Sequence, residues 1–323
     1  MNFKELLFAI TFEFERSICH KFNKLLNRRP SSTPFLSGDT FKNFANFSIE
    51  SENELQNFCK KIENINKSEK YKKNLVILVS SKLLVSFAAC VLSQIKVPFV
   101  LLSHQSDENI TNENINASVY LKLAQNPHLI RWFAQNCTLQ HPKIEPLPIG
   151  LENQHFHNAG NVKSFKKLQK KLKAKKIEKQ AKVLVALNFA TNPGKRFNCY
   201  RSFWKKPITK ELSSFVSSQN YRKIAAKCMF VASPAGNGLD CHRTWEAMYL
   251  NCVALVEKNE MSEYFKSLGL PMLCIENWED FANKTESELV EIYNKTIKNC
   301  NKSPLYIDFW KDKILKSLSD LSQ

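Results

Sequence analysis

Arg243 and Glu246 stand three residues apart, a spacing that puts a guanidinium and a carboxylate on one face of a helix. A guanidinium can clamp a phosphate or diphosphate through two parallel N–H bonds. A carboxylate one turn away has the acceptors to hold two neighbouring sugar hydroxyls. Gly236, Asn237, Gly238, Asp240 and His242 crowd the positions just before, with two of the chain's seven glycines among them. A Gly-rich loop running into a helix leaves backbone amides open to an anion. The segment therefore offers a diphosphate grip beside a ribose grip, which suits a nucleotide sugar. Taken singly, each residue has a plainer account. Gly-x-Gly occurs in ordinary turns, Arg243 and Glu246 can form a surface pair, Asp240 can cap the helix, and His242 can fill space. Their concentration at 236–246 favours the binding reading.

These side chains need elements to hold them. Met229 to Ala232 is an apolar run of buried-strand length, stopped by Pro234 and the two glycines, and Val253 to Val256 returns as the next strand. Leu75 to Ser80 and Val97 to Ser103 are strands on either side of a helix at 83–95. Strand, helix, strand implies parallel pairing and a Rossmann-like sheet, whose ligands sit beyond the carboxyl ends of the strands. His104 and Asp107 fall there, as candidates for the base that takes a proton from an acceptor hydroxyl. Asp39 follows the break at 28–34 and is placed near the acceptor, with a local turn role as its plain alternative. Lys195 and Arg196 lie in the loop after the strand at 183–188 and are expected to face donor phosphates. The pattern at 120–136 reads as a helix carrying Trp132 and Phe133, and a short strand at 144–149 closes the first half.

The string SPAGNGLDCHRTWEAMYLNCVALV at 233–256 resembles the C-terminal signature of exostosin-like glycosyltransferases of bacterial type. Weaker matches are Pro34 to Phe41, Leu101 to Asp107 and Pro148 to Leu151, so the likeness spans about residues 34–275. Ala235 stands where the family often has a basic residue, and Asn251 where it often has Gly. The resemblance implies the GT-B fold, α/β with two Rossmann-like domains facing a cleft, and transfer of a sugar from a nucleotide donor to a saccharide or glycolipid acceptor. It implies surface polysaccharide or lipopolysaccharide assembly and no obligatory metal or other cofactor. The expected division is an amphipathic helix within 1–33, an acceptor domain at 34–160, a Lys-rich linker at 161–181 and a donor domain at 182–323. His155 and His157 lack a third ligand at useful spacing, so no metal site is expected.

Net charge is +17 over 323 residues, the sort of excess that binds nucleic acid or anionic surfaces. Much of it sits at 163–182, where no aromatics follow Phe165 to stack bases. A solvated helix or linker is expected, with anionic lipid rather than nucleic acid as its partner if it has one. A basic, non-catalytic binding protein is the rival reading. A phosphotransferase would need a Walker-type string that the chain lacks. Ten scattered cysteines without a Cys-x-x-Cys point to free thiols in a reducing compartment. Residues 3–26 have helical apolar spacing, too interrupted by charge for a membrane span. The expected location is cytoplasmic, with peripheral contact at the inner face of the membrane as an option.

Overall fold

The structure, a computed structural model, describes residues 29–156, 161–212 and 216–319. The amphipathic helix expected within 1–33 and the position of His157 lie outside those residues, apart from 29–33.

Strand pairing in the two sheets is parallel throughout the described residues. The first sheet has the order β1 (Phe47–Ile49), β2 (Leu75–Ser80), β3 (Phe99–His104), β4 (Leu129–Ala134), β5 (Ile144–Pro146). The second contains β6 (Gln180–Val185), β7 (Thr209–Glu211), β8 (Cys228–Ala232), β9 (Val253–Glu257) and β10 (Met272–Ile275), in the order β10-β9-β8-β6-β7. Parallel strands need crossovers, and helices supply most of them. Two Rossmann-like α/β domains result, as the sequence implies.

Alternation along each strand sorts side chains into three buried clusters. Ile77, Val79, Leu101 and Trp132 belong to a core private to the first domain. Val183, Val185, Phe230 and Leu255 belong to one private to the second. The opposite faces, Val76, Leu78, Val100 and Phe133 from one sheet and Leu184, Val231 and Ala254 from the other, join a single cluster with Trp245 and Tyr249. The two domains thus share a core, and the helix that carries Arg243 and Glu246 is wedged into it by its aromatic face.

Residues 120–136 depart from the expected single helix. A helix spans Ala117–Ala124 and stops ahead of Asn126-Pro127, because the residue before a proline is pushed out of the helical region. Leu129–Ala134 then pairs with β3 in register Leu101↔Trp132, and Trp132 Nε1 donates to Ser103 Oγ at 2.8 Å. Ladder pairing and burial of Trp132 outweigh local helical preference here.

The Lys-rich segment forms a helix, Val162–Lys173, with Phe165 and Leu168 buried and Lys163, Lys166, Lys167, Lys170, Lys171 and Lys173 exposed. The closing helix Ile307–Ser319 crosses back to the first domain, packing on β3 and β4. Ile307 N donates to Pro34 O at 3.0 Å, and Lys313 pairs with Glu145 at 2.8 Å. The donor domain expected at 182–323 thus gives its last helix to its neighbour. No disulfide forms among the described cysteines. None of the described helices is long and apolar enough to cross a membrane.

Candidate functional site in the interdomain cleft

The carboxyl ends of both sheets open onto one cavity of about 840 Å³. From the first domain it is lined by Asp107, Ile149 and Glu152, in the loops after β3 and β5. From the second domain come the loop after β6, the residues around 236–243, and Glu246. Arg243 and Glu246, side by side on the helix His242–Tyr249, both face it.

The helix is held in place from several sides. Trp245 is fully buried, edge-on to Phe265 with ring centroids 5.4 Å apart. Tyr249 accepts from Leu36 N at 3.0 Å and donates to Leu305 O at 2.6 Å. His242 Nδ1 donates to Gly150 O at 2.8 Å, tying the first turn to the other domain.

Asp240 proves to be a different kind of residue from the helix cap and ligand contact expected. The helix is capped at Cys241 with no side-chain bond. The Asp240 carboxylate instead accepts from Ile149 N at 2.8 Å, Cys241 N at 2.8 Å and Trp245 Nε1 at 2.9 Å. Its own amide donates to Asn136 Oδ1 at 2.8 Å. Burial raises its pKa to about 6 against the pull of these donors. It touches the cavity wall, but its bonds latch the domains together.

The glycines owe their place to close packing rather than to backbone freedom, since neither Gly236 nor Gly238 has positive φ. A Cβ on Gly238 would come within 2.4 Å of Asn136 Nδ2, and one on Gly236 within 2.8 Å of Arg196 Nη2. Asn237 Nδ2 donates across the cleft to Asp107 Oδ2 at 3.2 Å. Asn251, in the Gly position of the resembled pattern, takes φ 58°, a left-handed conformation that Asn tolerates.

Of the two basic residues expected at the phosphates, Arg196 lines the cavity and Lys195 does not. Lys195 pairs with Glu257 at 2.8 Å, outside the cleft. Arg196 Nη1 donates to Asn188 O at 2.7 Å and also to Thr191 Oγ1. Burial lowers the Arg196 pKa, and the positive charge of Arg243 lowers it further. Two guanidiniums therefore border one space. Burial also raises Glu246 to about 7, despite the counter-pull of Arg222, His242 and Arg243.

Only Asp107 of the three expected catalytic residues reaches the cavity. His104 is 2% exposed, and both ring nitrogens are engaged: Nε2 donates to Pro148 O at 3.1 Å and Nδ1 accepts from Gln105 N at 2.7 Å. Burial drops its pKa to about 4, so it is a neutral packing residue with no nitrogen spare for an acceptor hydroxyl. Asp39 is fully buried, accepting from Arg29 Nε at 2.8 Å and bonded to His155 Nδ1 at 2.7 Å. Burial opposes its charge, but His155 and Arg29 outweigh that and hold it below the usual carboxylate range. It ties together loops of the first domain and does not line the cavity.

Two cavity residues carry no strong mark in the sequence. Glu152 follows the strand-end segment Pro148 to Leu151, and that position was its only signal. Tyr221 lies on the helix Ser218–Ala225 ahead of β8, where nothing in the local pattern separates it from core aromatics. An apolar end of the cavity is built from Leu187, Phe189 and Tyr200, with Phe189 and Tyr200 ring centroids 5.4 Å apart. Among the described residues no cluster of His, Cys, Asp and Glu could hold a metal ion.

No family model matches this chain, and no curated protein is similar to it. Solved structures are similar in fold. UDP-GlcNAc 2-epimerase from Methanocaldococcus jannaschii aligns over 84% of this chain and 83% of its own, at 12% identity and TM-score 0.37. A UDP-forming α,α-trehalose-phosphate synthase from Burkholderia xenovorans aligns over 84% and 80%, at 11% identity and TM-score 0.45. The spinosyn rhamnosyltransferase SpnG aligns over 84% and 78%, at 11% identity and TM-score 0.35. Likeness at this level concerns the fold alone.

Proposed function

We propose that the chain is a glycosyltransferase that moves a sugar from a nucleoside-diphosphate donor to a saccharide or glycolipid acceptor. The observation that carries this reading is the shared orientation of Arg243 and Glu246 into the interdomain cavity rather than toward bulk solvent. Glu246 accepts from the ribose hydroxyls, the apolar end around Phe189 and Tyr200 takes the base, and Arg243 with Arg196 faces the diphosphate. The acceptor occupies the side lined by Asp107 and Glu152.

In the reaction the acceptor oxygen bonds to the anomeric carbon as the bond from that carbon to the diphosphate oxygen breaks. The hydroxyl proton passes to Asp107, the one of the two candidate bases that lines the cavity. Negative charge gathers on the departing diphosphate, and the two guanidiniums stabilise it in a space partly shielded from water. In this account they do the work a metal would otherwise do. The likeness of residues 233–256 to exostosin-like enzymes supports a place in surface polysaccharide or lipopolysaccharide assembly. The exposed lysine face of Val162–Lys173 supports peripheral contact with an anionic cytoplasmic membrane surface.

Thermal-shift titration against a panel of nucleotide sugars tests the class. One uridine or guanosine diphosphate sugar should raise the melting temperature, and Arg243→Ala should remove the shift while keeping the circular-dichroism spectrum. A shift with nucleic acid and none with any nucleotide sugar would sink the proposal.

A further inference from the structure

Tyr221 reaches the cavity from the helix Ser218–Ala225, beside Arg243. Its hydroxyl and Arg243 Nη1 are both buried, and neither has a hydrogen-bond partner. The two groups are close enough for the guanidinium to favour the ionised phenol against the burial that raises its pKa. Buried polar atoms are paired in the great majority of cases, so two neighbouring donors without an acceptor require an explanation.

The missing acceptor can be characterised by the charge around it. Arg243 borders this space together with Arg196, whose pKa burial and the Arg243 charge both lower. A water molecule would satisfy the donors and leave that repulsion in place. An anionic oxygen satisfies both. Burial pushes the Tyr221 hydroxyl far above its ordinary pKa, so it stays protonated and can donate. Glu246, assigned to the ribose, lies one helical turn from Arg243, which sets the anion next to the sugar of a nucleoside.

We propose that Tyr221 is a donor-binding residue: its hydroxyl and Arg243 Nη1 together grip one oxygen of the diphosphate. The inference rests on the transferase reading and adds to it a contact that spacing within 233–257 does not contain. Tyr221 acts as a neutral hydrogen-bond donor, separate from the proton transfer assigned to Asp107.

The test compares wild type with Tyr221→Phe, which removes one oxygen and keeps the ring. Binding of UDP, GDP, uridine and guanosine is measured by calorimetry on the full chain, with melting temperature as the fold control. A hydrogen bond to a charged acceptor predicts about 10–100-fold weaker binding of whichever diphosphate the wild type prefers. The matching nucleoside should bind the variant and the wild type equally. The unliganded variant should melt no lower than wild type, since the hydroxyl it loses has no partner. Equal diphosphate binding by the two proteins overturns the clamp and leaves the transferase reading standing. Equal losses for nucleoside and diphosphate also overturn it, placing the hydroxyl at the ribose or base. A wild type that binds neither diphosphate overturns the clamp and the transferase reading together.

Discussion

Glu246→Gln should make the unliganded protein more stable at pH 8 while removing its nucleotide affinity. The reason lies in the cost of holding a carboxylate where Glu246 sits. Burial raises its pKa from 4.5 to about 7, and the nearby Arg222, His242 and Arg243 recover only part of the lost hydration. The folded protein therefore holds this proton more tightly than the unfolded chain. Stability from this group is fully present below pH 4.5 and is lost as pH rises through about 7. The difference between the two values corresponds to about 3 kcal/mol at high pH. One side of the group opens on a water-accessible cavity, which screens the charge, so about 1–2 kcal/mol is the better figure. Glutamine has nearly the same shape and never ionises. It should recover that amount at pH 8 and nothing at pH 4, raising the melting temperature by roughly 2–8 °C at the upper pH.

Differential scanning fluorimetry of both proteins between pH 4 and 9 reads the effect directly. The advantage of the variant should grow between pH 5 and 8 and then level off. Adding the preferred nucleoside diphosphate should reverse the order, because only the wild type gains stability by binding it. A variant that melts at or below wild type at pH 8 would refute the reasoning. So would an advantage that stays constant from pH 4 to 8, since it could not come from titration of this group.

Asp107→Asn should lower the turnover rate by about 10²–10⁴-fold with donor affinity unchanged, measured by transfer assays beside calorimetry; a matching fall in affinity would move Asp107 into donor binding. Asp240→Asn places an amide group against the donors Ile149 N, Cys241 N and Trp245 Nε1 and should cost about 1–3 kcal/mol, read as a lowered melting temperature at every pH from 6 to 8. An unchanged melting temperature would show that the latch between the domains contributes nothing to stability.

The fold was legible where strands were short, β-branched and bounded by breakers. Leu75–Ser80 is apolar except at its end and buried along its whole length, and it was found with its true limits. Trp132 and Phe133 were misread because an aromatic pair in a mixed segment fits either period, and only pairing with β3 decides between them. At the site, Arg243 and Glu246 were legible because one helix carries both, so spacing fixes their relation. His104 was not, because the carbonyl that engages it belongs to Pro148, 44 residues on. Tyr221 was invisible for the same reason: its significance lies in what fails to bond to it, and no string of residues encodes an unfilled acceptor.

The segment 236–246 serves two purposes that bear on each other. Its first half touches the other domain through Asn237 to Asp107, Leu239 N to Asn109 Oδ1 and Asp240 to Ile149 and Asn136. Its second half presents Arg243 and Glu246 to the cavity. Under the proposed function, a diphosphate drawing Arg243 inward would act on a helix whose first residue, His242, is bonded to Gly150 O of the opposite domain. On the transferase proposal, donor binding and the separation of the domains would be linked through a few residues of backbone. Loosening that link at Asp240 should weaken donor binding even though its carboxylate oxygens are already committed to protein donors.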